Sequence, residues 1–176
     1  MIRIWTDGCC SWEYRGGGGP GGWAFIAWRA GAGVVERQSG GVPFADAGRM
    51  ELLAVLEALR WAEGTAEVEV FTDSHYVAHG FNKQLHGWRH SHWRDRRRRY
   101  RPIRDYDLWE ALWHLTRNAP AKVSQIRRAI HVYNVEADQA AKAAMRRLSG
   151  PATRAEQKLM HALDNSLRGV PAAASG

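Results

Sequence analysis

The chain predicts a mixed α/β fold, one five-stranded sheet with helices packed on both of its faces. The first 40 residues hold three strand-like apolar segments separated by glycine-rich stretches, with no helical period between them. Beyond residue 47, segments with helical spacing alternate with short β-rich segments, the pattern of helix-separated parallel strands. Two of the predicted strands, IRIWTD and VEVFTD, end in Thr-Asp. If those strands are parallel neighbours, both carboxylates stand at one edge of the sheet.

Residues 2–6 alternate Ile-Arg-Ile-Trp and read as the first strand. Residues 13–22 are glycine-rich and close in GPGG, which predicts a tight turn. This is no dinucleotide-binding loop, because residues 23–29 then read as a strand where that motif requires a helix. Residues 34–40 complete an antiparallel meander. Residues 48–63 place Leu52, Val55, Leu56 and Leu59 at helical spacing, and Gly64 is suited to stop that helix. Residues 67–72 form the next strand, and Ser74 caps a short helix to about residue 81. Residues 84–104 are a basic, Trp-rich insert. Residues 106–118 are helical, with Leu108, Leu112 and Leu115 on one face. Residues 123–130 predict the last strand and 135–148 the next helix. Pro151 separates an amphipathic segment at 153–167, and the GVPAAASG tail reads as disordered. One domain over 1–148, with an insert at about 84–104 and an extension at 149–176, is the expected organisation.

With 176 residues and 45% apolar content, the chain can bury one substantial core. No apolar run approaches the ~20 residues that span a bilayer, and no secretory apolar segment opens the chain. Cys9 and Cys10 are adjacent and poorly placed for a disulfide framework. These features predict a monomeric cytoplasmic protein without a membrane partner. Its charge is uneven. Residues 81–104 hold nine Lys or Arg against Asp95 alone, a net +8 in a chain of +7, so the remainder sums to −1. A near-neutral body with one basic projection suits the gripping of a polyanion.

Four acids lie where strands and helices can aim them at one place: Asp7, Glu51 in GRMELLAVLEAL, Asp73, and Asp138 in NVEADQAAKAA. Any one alone would read as a solvated cap or turn residue. Together they would repel by several kcal/mol unless hard cations neutralise them. Mg²⁺ and Mn²⁺ are the usual cations of all-oxygen sites, so the set predicts a metal site and phosphoryl-transfer chemistry.

The chain resembles the type 1 ribonuclease H family over residues 1–148. The resemblance rests on TDG at 6–8, GPGGW at 19–23, RMEL at 49–52 and TDSHYV at 72–77 with Gly80. HGW at 86–88, DLW at 107–109, and Asp138 followed by Gln-Ala-Ala continue it in the family's order. The resemblance implies an RNase H-like fold and a metal-dependent endonuclease that hydrolyses the RNA strand of RNA/DNA hybrids to 3′-hydroxyl and 5′-phosphate ends. It implies Asp7, Glu51, Asp73 and Asp138 as ligands of two Mg²⁺ ions ~4 Å apart, with Mn²⁺ as a substitute. One ion would activate a water and the other would stabilise the leaving 3′ oxygen. The basic insert resembles the handle with which members hold the DNA strand, with Trp88, Arg89, Trp93, Arg96, Arg97, Arg98 and Arg99 as contacts. Gly8, Cys10, Ala47, Gly48, Arg49 and His75 are the further nucleic-acid contacts it implies, Arg49 being open to a solvated reading as well.

The family carries a mobile histidine in a glycine-bounded loop some ten residues before its last Asp. Here IHVYNVEAD has no such loop, and His131 lies seven residues before Asp138. Two readings stay open for His131, a catalytic one and a neutral His–carboxylate structural one. Ala47 and Gly48 stand where members carry polar side chains, and Asp46 replaces a small hydroxyl of a phosphate pocket. Gln84 stands where many members have a Trp. The acids are kept better than the substrate contacts. This leaves two alternatives to hybrid cleavage: a nuclease shifted toward double-stranded RNA, and a catalytically weak nucleic-acid binding module.

Overall fold

The structure, a computed structural model, describes residues 1–11, 18–95, 99–117 and 121–148. The predicted segment at 153–167 and Arg96, Arg97 and Arg98 of the predicted handle lie outside them. Strands β1 (Ile2–Cys10), β2 (Gly19–Arg29) and β3 (Gly33–Ala45) form the antiparallel meander. Helix α1 (Ala47–Trp61) crosses to β4 (Val68–Thr72), which pairs parallel to β1. Then follow α2 (His75–His79), a π-helical turn (Gly80–Gln84) and α3 (Leu85–His90). A two-stranded ribbon, β5 (Arg94–Asp95) with β6 (Arg101–Pro102), leads to α4 (Tyr106–Thr116). Strand β7 (Lys122–Gln125) joins β4 in parallel, and α5 (Val132–Leu148) closes the described body. The sheet order is β3-β2-β1-β4-β7, the five-stranded mixed sheet predicted from the sequence.

Helices α1 and α5 cover opposite faces, and two glycines set how closely they approach. A Cβ at Gly8 would stand 2.2 Å from the Glu51 backbone nitrogen, inside α1. A Cβ at Gly22 would stand 2.0 Å from the Ala141 carbonyl oxygen, inside α5. Gly22 pairs with Cys9, so the two glycines open on opposite faces of the sheet. The core on the α1 face joins Ile2, Ile4, Phe25, Leu52, Val55, Leu56, Val70 and Val77, all nearly inaccessible. Trp109 and Leu112 of α4 extend it toward the basic insert.

Three expectations need correction. GPGG is not a turn: Gly19–Gly22 belong to β2, where missing side chains admit Met50 and α5. The last strand stops at Gln125 instead of running to residue 130, and α5 starts at Val132, three residues early. The buried Asn134 side chain accepts the Ala129 N–H at 2.8 Å and holds Ala129 at φ 55, which turns the chain out of the sheet. The basic insert is also more structured than a loop, with α3 and a short ribbon in it.

Gly22→Ala should lower the melting temperature by roughly 5–10 °C, since α5 must lift to make room for a methyl group. Gly87→Ala, where a Cβ meets nothing within 4 Å, is the control and should be near neutral. Equal melting curves by circular dichroism for the two variants would show that α5 is not seated on β2.

Candidate active site

The register of the two parallel strands builds the site. Ile2 pairs with Val68 and Trp5 with Phe71, an offset that sets Asp7 beside Asp73 just past the end of β4. Side chains alternate along β1, so Asp7 shares the α5 face with Cys9, whose sulfur lies 3.8 Å from Met145 of that helix. Asp138 comes down from α5 on this face. Glu51 reaches the same edge from α1, because Gly8 lets the helix backbone come against the strand. Ser74, the cap of α2, donates its hydroxyl to Glu51 Oε2 in a short hydrogen bond.

The electrostatics record this crowding. The Asp7 carboxyl is pushed from 3.8 up to about 7, by burial first and then by Asp73 and Asp138. Its Oδ1 accepts the Gly8 N–H at 2.7 Å, while Oδ2 is buried with no hydrogen-bond partner. Burial also raises the Glu51 carboxyl, with Asp73 adding to it and the Ser74 hydroxyl opposing. Two cations offset the cluster. Arg128 stands 3.8 Å from Asp73 Oδ2 and 3.5 Å from Asp138 Oδ1, and Asp7 is the largest cause of its raised pKa. Lys142, one turn along α5, donates to Asp138 Oδ2 at 2.6 Å.

These residues fit a divalent cation. All four donors are carboxylates, and Asp7 Oδ2 is buried without a hydrogen-bond partner, which a cation could supply. Among the described residues, no three His, Cys, Asp or Glu side chains share one ligating position as they stand.

Among the described residues, His131 forms no hydrogen bond or ion pair with the four acids. Its ring stacks on Trp5, 4.4 Å between centroids at 12°, and its Nδ1 accepts the Tyr133 N–H. Arg128 is the side chain that reaches the carboxylates, and it stands ten residues before Asp138. The sequence reading passed over Arg128 because it looked for a histidine; the spacing to Asp138 was the available signal. Lys142, at helical spacing from Asp138, was legible in the same way.

The predicted substrate contacts divide. Gly8 is buried against α1 and exposes no surface of its own. Cys10 is half-buried, and burial raises its thiol pKa. Gly48 lies under Arg104, whose Nη2 would be 2.8 Å from a Cβ there. Arg49 is neither solvated nor free for phosphate: it pairs with Asp105 and Asp107. His75 is exposed, stacked on His79 and bonded to Gln125. Arg89 and Arg99 are exposed. Trp93, predicted as a handle contact, is instead 7% exposed, its Nε1 donating to Glu110. Trp88 packs on Trp109 and is only partly exposed. Both indoles anchor the insert, since such large apolar areas are more stable buried than presented.

Acids gathered past the ends of two parallel strands, on a meander-plus-crossover sheet, define a phosphodiester-hydrolase architecture. The comparisons agree: the sequence profile described as RNase H matches residues 1–146. Ribonuclease H of Mesorhizobium japonicum is 35% identical over 146 residues, 82% of this chain and 78% of that one. Ribonuclease H of Aromatoleum aromaticum is 39% identical over 143 residues, 81% and 88% respectively. The foamy viral protease-reverse transcriptase in complex with an RNA/DNA hybrid superposes with a TM-score of 0.70 at 20% identity, a likeness of fold. That match covers 82% of this chain and 20% of the viral one. The chain belongs to the ribonuclease H family, and it is a ribonuclease.

Asp7→Asn should stabilise the protein in chelator, by an amount that depends on pH. Folding takes up a proton on Asp7 between pH 3.8 and about 7. The burial penalty is therefore absent below pH 3.8, grows as pH rises, and is complete above about 7. The variant should match the parent near pH 4 and exceed it by roughly 2–4 kcal/mol at pH 8, measured by urea unfolding. Equal stabilities at pH 8 would place Asp7 outside the repelling cluster.

Proposed function

We propose that the chain is a metal-dependent endonuclease that cleaves the RNA strand of RNA/DNA hybrids, leaving 3′-hydroxyl and 5′-phosphate ends. The observation that supports this most is the cluster of Asp7, Asp73 and Asp138 around one exposed arginine, with an orphaned oxygen on Asp7. A set of carboxylates that repel one another has no use in a pure binder of polyanions. Bound by Asp7, Glu51, Asp73 and Asp138, two Mg²⁺ ions, or Mn²⁺, would supply an activated water and neutralise charge on the leaving 3′ oxygen.

The chain's own groups prepare that site. Ser74 holds the Glu51 carboxylate in place, and Lys142 does the same for Asp138. Burial of Asp7 at 5% exposure keeps competing water from one oxygen of the cluster. The arginines of the handle grip phosphates without reading sequence, so hybrid binding falls steeply with salt. Selectivity for a hybrid needs 2′-hydroxyls sensed on one strand only. With no side-chain amide at Ala47 or Gly48, that sensing falls to the backbone groups of this turn. The hybrid held by the foamy viral enzyme supports the choice of substrate. The reading includes action as a monomer in the cytoplasm, and among the described residues no helix is long and apolar enough to cross a membrane.

An end-labelled hybrid, incubated in Mg²⁺ and in Mn²⁺ beside double-stranded RNA of the same sequence, tests the reading. Cleavage confined to the RNA strand of the hybrid is expected. Asp7→Asn and Asp73→Asn should each lower the rate by roughly three orders of magnitude while sparing binding. Retained turnover in both variants would remove the site assignment; equal cutting of double-stranded RNA would move the substrate. Replacing Arg96 to Arg99 with Gln should raise KM about tenfold and flatten the salt dependence. Unchanged kinetics would make that block a solvated face.

A further inference from the structure

The handle is tied to the acidic edge by a network of charges at one residue, Asp105. Its backbone lies in the left-handed region, φ 55 and ψ 32, at the corner where the chain leaves the handle and enters α4. An Asp tolerates that conformation better than most residues, yet it remains a strained one for any side chain. What holds it there is its carboxylate, 6% exposed and engaged by three donors. Arg49 reaches Oδ1 at 3.2 Å, Tyr76 donates its hydroxyl to Oδ2 at 3.0 Å, and Arg104 Nε stands 3.3 Å from Oδ2.

Each of those donors belongs to a different part of the molecule. Arg49 sits in the first turn of α1, two residues before Glu51, and its guanidinium also binds Asp107. Tyr76 sits in α2, two residues after the Ser74 that fixes Glu51, and accepts the Trp109 indole N–H. Arg104 is on the return leg of the handle, next to the buried Ile103, whose backbone N–H donates to the Trp93 carbonyl. Arg104 lies over the Tyr76 ring, 5.2 Å from its centroid, and pairs with Asp46, the cap of α1. Handle, α1 and α2 therefore meet on one buried carboxylate.

We propose that Asp105 and Arg104 are positioning residues, a strut that fixes the angle of the basic handle relative to the carboxylate edge. This rests on the reading of the handle as a nucleic-acid grip. Arg104 is basic in sequence and its side chain is 53% exposed, but Asp46 and Asp105 balance its charge and its guanidinium lies over the Tyr76 ring. It contributes orientation and no phosphate contact. A strut raises affinity by ordering the handle before substrate arrives, an entropic gain that salt does not screen. A phosphate contact raises affinity through counterion release, which salt does screen. The two roles separate in one experiment.

Asp105→Asn keeps a side chain that accepts the left-handed backbone and removes the charge; Arg104→Gln removes the other half of the pair. Binding of a fluorescein-labelled RNA/DNA hybrid is followed by anisotropy in chelator across a salt series, and kcat is measured at saturating hybrid. Both variants should bind about tenfold more weakly, with the parent's salt slope and kcat within about twofold of it. A slope shallower by about one in Arg104→Gln would make Arg104 a phosphate contact and overturn the strut. A fall in kcat with unchanged affinity would assign the network to Glu51 and overturn it equally. Variants indistinguishable from the parent in both readouts would show the network to be idle. A parent chain that fails to bind the hybrid is a separate result: it removes the grip on which the proposal stands. Melting curves for both variants establish that a loss of affinity is not a loss of fold.

Discussion

Two absent side chains fix the relation between the sheet and its helices. Without a Cβ at Gly8, the backbone of α1 rests against β1, and without one at Gly22, α5 rests against β2. Helices normally pack on sheets through side chains, which keep the backbones well apart; here both approach at glycine windows. The consequence is geometric. Glu51 is carried on the part of α1 that touches Gly8, and Asp138 lies one turn before the part of α5 that touches Gly22. The same contacts that seat the helices therefore bring their acids to the place where the β1–β4 pairing ends, beside Asp7 and Asp73.

Having been brought there, the acids are a liability to the fold. A carboxyl near 7 on Asp7 is the visible sign of it, since burial and two neighbouring acids work against its ionisation. The protein tempers the strain with cations from its own chain. Lys142 is held by helical spacing and is always within reach of Asp138. Arg128 is different in kind: its side chain is 73% exposed and it rests on a turn rather than in a helix. A counter-charge on an exposed arm can be displaced by a better cation at small structural cost, whereas one buried in the cluster could not. Arg128 thus offsets Asp73 and Asp138 from the solvent side, through long ion pairs of 3.8 and 3.5 Å.

Much of this was legible in the sequence, and the reason is that strand register is a local matter. Two predicted strands that each close in Thr-Asp set their aspartates side by side when they pair in parallel in this register. The helical periods of α1, α4 and α5 were likewise written in their apolar spacing. What escaped was whatever depended on tertiary neighbours. GPGG carries turn residues, and only the presence of Met50 and α5 beneath it shows that they serve close packing. The run from 123 to 130 is strand-like in composition, but Asn134, several residues on, captures a backbone N–H and ends the strand. Trp88 and Trp93 look like an exposed aromatic surface until Trp109 and Glu110 supply their partners.

The handle shows why formal charge is a poor measure of grip. Of the basic residues in and near it, Arg49 and Arg104 are bound to Asp46, Asp105 and Asp107, carboxylates that lie outside the basic run or at its end. Their field at a distance is largely cancelled, while Arg89, Arg94 and Arg99 remain exposed. The insert also holds His92, Trp93, Arg99 and Tyr100 at positive φ, a conformation that most side chains resist. A loop meant only to carry charge would have no need of such backbone. Strain of this kind persists where surrounding contacts over-determine the shape, and here Trp93, Ile103 and Asp105 supply those contacts. The described part of the insert is thus held in one shape by its buried side chains, and Arg49 and Arg104 direct their charge inward, to carboxylates of the protein itself.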